Sequence, residues 1–120
     1  AFSMASLMDK LFTLSFTVCG FSVGMKGKEF YDIYSSIKDS KEEGYSGAST
    51  ANIKQYKKNT LLCLTSSLFL FYSAIPKTII PKKYESLFLS SRMITMIAAA
   101  GTLYGIDEPS PDLPDSLKTT

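Results

Sequence analysis

LLCLTSSLFLFYSAI (residues 61–75) and LFLSSRMITMIAAAGTLYGI (residues 87–106), joined by PKTIIPKKYES (residues 76–86), decide the fold. The first run carries no charge and the second carries only Arg92. Two long apolar runs separated by a Pro- and Lys-rich hinge read as a pair of membrane-crossing helices turned by the hinge. Pro76 has no amide hydrogen and disfavours helix in the residue before it, so the first of these helices stops there. Lys77, Lys82 and Lys83 then hold the hinge at the level of the lipid headgroups as interface anchors.

Working outward, the charges of the chain fall in blocks at residues 26–58, 77–85 and 107–118, and the stretches between are nearly free of charge. The mean hydropathy of +0.07 hides this segregation. Residues 2–25 form a further apolar run, interrupted by Asp9 and Lys10. Crossing a hydrocarbon core takes about 20 residues, so a span over 7–25 keeps Asp9 and Lys10 at the interface, with Lys10 as an anchor. The alternative is an amphipathic helix lying on the membrane surface. Over residues 28–42 the pattern changes. Phe30, Ile33, Tyr34 and Ile37 fall at helical spacing on one stripe, and charged residues occupy the rest. This predicts an amphipathic helix lying on the membrane, on a partner, or on its own domain.

GYSGAS (residues 44–49) reads as a loop, with Ser49 or Thr50 positioned to cap a helix starting near residue 51. Its first turns carry Lys54, Lys57 and Lys58 before the apolar run begins. Beyond residue 106, DEPSPDLPDSLKTT is a Pro-rich acidic tail. The expectation is therefore an all-α membrane protein: one helical domain over residues 1–106, with spans near 7–25, 60–76 and 85–106, an amphipathic helix over 28–42, and the tail. Eight lysines on the side of the long loop face five basic residues on the other, which favours the loop on the stromal or matrix side.

Two small-xxx-small patterns mark helix packing. Gly20 and Gly24 share one helix face, as do Gly101 and Gly105, and Ala98 extends the second face by a turn. In a three-span topology the first and third helices run parallel, and both glycine pairs lie near the same membrane surface. The spacing predicts that those two helices cross at the glycines.

The chemistry is sparse. Histidine is absent, which removes the usual ligand for haem or zinc and the usual general base. A net charge of +2 gives no reason to expect nucleic acid. Cys19 and Cys63 both lie in apolar runs and read as free buried thiols. No pattern supports a catalytic nucleophile, a phosphate loop or a metal site, so no enzyme is expected. Thr65, Ser66 and Ser67 sit mid-span without an acid or base and are expected to bond back to their own helix. Asp9, Lys10, Glu85 and Arg92 are either interface anchors or partners in acid–base pairs between helices one and three. A paired Glu retains a free oxygen, and oxygen is the donor that Mg²⁺ prefers.

The third span, with Glu85 ahead of SSRMITMIAAAG, resembles the chlorophyll-binding helices of light-harvesting antenna proteins, which read E-x-x-N/H-x-R-x-A-M-x-A-x-x-G. The close of the first span, Gly20-Phe21 through Gly24-Met-Lys-Gly-Lys-Glu29, is similar to the GF…TGKGPLE ending of those helices. The likeness covers some forty residues. Glu85 precedes Arg92 by seven positions instead of five, Ser occupies the Asn/His ligand position, and the hinge is much shorter than in that family. The resemblance implies three spans with the first and third crossing, Glu85 and Arg92 as pigment-binding candidates, and chlorophyll or carotenoid together with lipid as cofactors.

These features together predict a non-catalytic, multi-pass subunit of a large organellar energy-transducing complex, with other membrane subunits and lipids as its partners. A chain starting at Ala1 fits a processed, imported protein. A photosystem- or antenna-associated subunit in the thylakoid membrane is favoured. The alternatives are an accessory subunit of a mitochondrial inner-membrane respiratory or ATP synthase complex, a small transporter or channel component, and a soluble α-helical domain.

Overall fold

The computed structural model describes residues 4–42 and 49–107, and every regular element among them is helical. Three long helices, α1 (Met4–Glu42), α2 (Ser49–Ser73) and α3 (Glu85–Tyr104), are joined after α2 by two single turns of 3₁₀ helix, Lys77–Ile79 and Lys82–Tyr84. Pro76 and Pro81 each stand just before one of these turns, where the missing amide hydrogen is no loss. The tip of the expected Gly-Ser loop, the side chains of Ser49 and Thr50, and the tail beyond Asp107 lie outside the described residues.

The first finding is a correction. Residues 7–25 and 28–42 are not two segments, because α1 is one unbroken helix of 39 residues. At 1.5 Å per residue it is about 58 Å long, close to twice a hydrocarbon core. The charge that begins at Lys26 marks a change in what the outer face meets, not a break in the backbone. Lys26, Lys28, Glu29 and Asp32 are all exposed, while Gly27 and Phe30 between them are buried.

That alternation belongs to a long seam. Asp9, Thr13, Phe16, Gly20, Val23, Gly27, Phe30, Tyr34 and Ile37 follow one another in steps of three and four, and each is buried or half-buried. The same rhythm runs along α2 through Tyr56, Asn59, Cys63, Ser66, Leu70 and Ser73, all buried. A sustained seven-residue repeat is the rule of coiled-coil packing, in which two helices wind around each other with their seams facing. Gly20 faces Phe71, Gly24 faces Ser67, Gly27 faces Cys63 and Phe30 stacks against Tyr56. α1 and α2 are therefore antiparallel partners along most of their length. The amphipathic stripe of residues 28–42 is covered by the chain's own α2. Phe30, Ile37, Tyr56 and Cys63 form the buried cluster there, with Ile33, Tyr34 and Ile53 packed against it.

α3 lies against a second stripe of α2. Adjacent residues on a helix point about 100° apart, so Ser67 serves α1 and Ser66 serves α3. Ser67 Oγ donates to the Gly20 carbonyl at 2.9 Å, and Ser66 Oγ donates to the Ala99 carbonyl at 3.2 Å. These hydroxyls do not close on their own helix as expected. They bridge helices. Further along, the Ser73 and Thr95 hydroxyls meet at 2.8 Å, and the Tyr72 and Ser91 hydroxyls at 2.6 Å. At the far end Asn59 Nδ2 donates to the carbonyl of Asp107 at 3.1 Å.

The glycine prediction is corrected by the same arrangement. Gly20 and Gly24 do pack a helix, but it is α2, not α3. Gly105 comes near Leu62 of α2, and a side chain at Gly101 would meet nothing within 4 Å. α2 is the middle helix and the partner of both neighbours. This also departs from the crossing of first and third helices that the antenna likeness implied.

Candidate functional site

The most strongly structured polar feature is a junction at the hinge end, where all three helices converge. Asp9 stands one turn into α1, and the heptad rhythm turns it inward. Arg92 stands two turns into α3 on the buried stripe that includes Phe88 and Ala99. Their side chains are 6% and 9% exposed, and Arg92 Nη2 lies 3.4 Å from Asp9 Oδ1. The same Asp9 oxygen accepts the backbone N–H of Lys77 at 2.9 Å.

Arg92 has a second acceptor. Its Nη2 donates to the carbonyl of Ile75. That carbonyl lies two residues past the end of α2, and the Ile79 N–H that a continuing helix would have turned to it donates instead to the Pro76 carbonyl. The guanidinium thus satisfies an orphan of the helix terminus. Two aromatic faces enclose it, Phe88 at 4.9 Å and Phe12 at 5.9 Å from ring centre to guanidinium carbon. Such contacts favour a cation held away from water.

The junction therefore ties α1 to the hinge through Asp9, α3 to α2 through the Ile75 carbonyl, and α1 to α3 through the ion pair. A buried ion pair is poor evidence for raw stability, because desolvation opposes the Coulomb gain. Its value lies in register. With three-four seams on α1 and α2, a slip of seven residues along them would keep apolar contacts but would separate Asp9 from both Lys77 and Arg92.

The other predicted residues sort clearly around it. Arg92 is central. Glu85 is not joined to it: the Glu85 carboxylate pairs with the Lys77 ammonium at 3.3 Å, both about one-third exposed. The pairing of an acid and a base between helices one and three occurs, through Asp9 and Arg92, while Glu85 turns to the hinge. Lys10, Lys82 and Lys83 are exposed at this same end, and Lys83 lies 4.9 Å from the centre of the Tyr84 ring. Gly20, Gly24 and Gly105 line helix contacts well away from the junction, and Gly101 faces open space. Ala98 is half-buried beside the buried Ala99.

Sequence reasoning missed two contributors. Gly27 brings its backbone against that of α2, where an added Cβ would lie 2.9 Å from the Cβ of Cys63. Asn59 is fully buried and links α2 to the segment just past α3. Of the two acids the sequence offered for pairing, Asp9 is the one that meets Arg92, and the signal that separates it from Glu85 is its place in the three-four rhythm that runs on to Ile37.

Two grooves flank the junction. One, of about 370 Å³, is lined by Asp9, Lys10, Thr13, Leu14, Thr17, Pro76 and Thr78, and the buried Thr13 hydroxyl has no partner. The other, of about 220 Å³, opens between α1 and α3 over Arg92 and Lys77. Among the described residues, no group of three or more acidic, Cys or His side chains is placed to hold a metal. No family model matches this sequence, and no curated protein or solved structure is significantly similar to it.

Proposed function

We propose that the chain is a three-span membrane protein serving as a non-catalytic structural subunit of a larger membrane assembly. The observation that carries this reading is the inversion of its surfaces. The buried set contains Asp9, Asn59, Ser66, Ser67, Ser73 and Arg92, while Leu14, Val18, Phe21, Leu64, Leu68, Leu87, Ile94 and Ile97 are all more than half exposed. A water-soluble protein of this size would bury such residues, because each large aliphatic or aromatic side chain gains about 1.5–3 kcal/mol on leaving water. An apolar exterior around a polar, glycine-containing interior is what a lipid environment selects. By length and composition one helix, Lys82–Tyr104, is apolar enough to cross a membrane by itself. α1 and α2 are less apolar because charges lie within them, Asp9 and Lys10 in the first and Lys54, Lys57 and Lys58 in the second.

The apolar faces of α1, α2 and α3 end at comparable levels, and α1 continues past them. Its last four turns pair with the first turns of α2 as a two-helix stalk, whose outer surface carries Lys28, Glu29, Asp32, Lys54, Lys57 and Lys58, all exposed. Lipid-facing helices with a charged stalk suit attachment to neighbouring subunits both within the membrane and beside it. The buried serine hydroxyls of α2, Ser66, Ser67 and Ser73, are engaged in helix–helix bonds, which supports attachment over conduction. On the sequence likeness we place the assembly among photosystem or antenna complexes of the thylakoid membrane.

The test is to isolate the native protein under mild detergent and identify what accompanies it. It is expected to remain with the membrane through alkaline carbonate washing and to migrate with pigmented, multi-subunit material. Migration with unpigmented respiratory or ATP synthase subunits would move it to the mitochondrial inner membrane. Release by carbonate as a monodisperse monomer would overturn the reading.

A further inference from the structure

The groove between the hinge ends of α1 and α3 has a feature that the ion pair leaves unexplained. Arg92 is more than nine-tenths buried, its Nη2 has acceptors, and its Nε–H is buried without one. A guanidinium donor enclosed without an acceptor is costly. The side chain lines a groove of about 220 Å³ whose other walls are Ala5, Met8 and Phe12 of α1 and Leu89 of α3, with Lys77 at its mouth. The groove is thus apolar along its length and cationic at one end. Asp9 and Glu85 offset the charges of Arg92 and Lys77, and Lys10, Lys82 and Lys83 leave this end net positive. The only acids described there are Asp9 and Glu85.

We propose that this groove is a binding site for an anionic phospholipid, its phosphate accepted by Arg92 and Lys77 and one acyl chain laid between α1 and α3 over Met8, Phe12 and Leu89. The inference rests on the three-span reading, which brings the basic end to headgroup level and the groove to acyl depth. Arg92 and the Lys77 ammonium, both lining the groove, are the cationic donors available to a phosphate there, and the net positive charge selects an anionic headgroup over a zwitterionic one. Basic pockets between membrane helices recognise anionic lipids in this way. The lipid would fill a gap between helices that are joined elsewhere mainly through α2.

The full chain, reconstituted in mixed phosphatidylglycerol and phosphatidylcholine and re-extracted in mild detergent, should retain one phosphatidylglycerol in native mass spectrometry. Lys77→Gln, which leaves the backbone N–H to Asp9 in place, is expected to reduce that retention about fivefold, one basic group's share of such binding. Ala5→Phe, which fills the groove without changing charge, should abolish it. Lys82→Gln, at the same end but outside the groove, should leave it within twofold, and circular dichroism should give the same helix content for all variants. Equal retention of the two lipids, or equal loss in Lys82→Gln and Lys77→Gln, would overturn the site in favour of diffuse surface charge. Failure of the chain to enter vesicles at all would instead overturn the three-span reading.

Discussion

Arg92→Met is expected to be the most damaging single substitution in the chain, lowering its stability in detergent micelles by about 3–5 kcal/mol. The magnitude is that of breaking a buried ion pair from one side. Met fills much of the aliphatic volume, so the loss is electrical, not steric. Asp9 keeps only the Lys77 N–H on the oxygen it now shares with Arg92, and the Ile75 carbonyl loses its donor while the Ile79 N–H stays engaged with the Pro76 carbonyl. The double variant Asp9→Asn/Arg92→Met is expected to recover at least half of the loss, since Asn can still accept from Lys77 while no charge remains buried. Unfolding titrated with sodium dodecyl sulfate measures both. Single and double variants of equal stability would show that the pair does not act as a unit.

Gly27→Leu comes next, with an expected loss of about 3 kcal/mol, the upper end of the usual cost of overpacking. A Cβ at Gly27 would lie 2.9 Å from the Cβ of Cys63. Both atoms are fixed to their backbones, so relief requires the two helices to separate. Gly20 provides the contrast. Its added Cβ would approach the Phe71 ring to 2.7 Å, but a ring can rotate away, so Gly20→Ala should cost less than Gly27→Ala. Gly101→Leu, which meets nothing within 4 Å, should leave the isolated chain within about 0.5 kcal/mol of its parent, as for surface substitutions generally. The same titration ranks the four variants. A loss at Gly101 matching that at Gly27 would contradict the central position of α2.

The three helices and the hinge were legible because they rest on strong local signals: uncharged runs, Pro76 and Pro81, and the lysine blocks. The continuity of α1 was not. A sequence displays the change of the outer face of α1 from apolar to charged as a sudden onset of charge at Lys26, and that onset looks like the end of a helix. What carries α1 onward is the seam from Asp9 to Ile37, whose period is constant while the opposite face changes from apolar to charged. The first glycine pair showed where a neighbouring helix comes close without showing which helix arrives. Gly20 and Gly24 resembled Gly101 and Gly105 in spacing, yet the first pair faces Phe71 and Ser67 while Gly101 is open. Partner choice was set by antiparallel pairing over the whole length of α1 and α2, a global property that two glycines do not encode.

The junction was half legible. Arg92 stood out as the only Arg in the chain and the only charge within its span, and a base there needs an acid. Asp9 and Glu85 were both available. Geometry decides between them, because Glu85 shares the solvent-facing hinge with Lys77 while Asp9 points along the seam. Ser66 and Ser67 were read as solitary hydroxyls because adjacent residues face different neighbours, and each neighbour lies more than thirty residues away in sequence.

The claim on which the rest depends is that apolar side chains on the outer faces of all three helices meet lipid. Nitroxide labels at Val18, Leu64 and Ile97, one per helix, test it directly in the full chain reconstituted in vesicles, with Cys19→Ser and Cys63→Ala as background. Collision rates with oxygen and with a water-soluble nickel chelate are read by electron paramagnetic resonance. At all three sites oxygen should dominate and the chelate should be excluded, while labels at Tyr31 and Lys57 on the stalk should show the reverse. Free access of the chelate to Val18, Leu64 and Ile97 would contradict the three-span account.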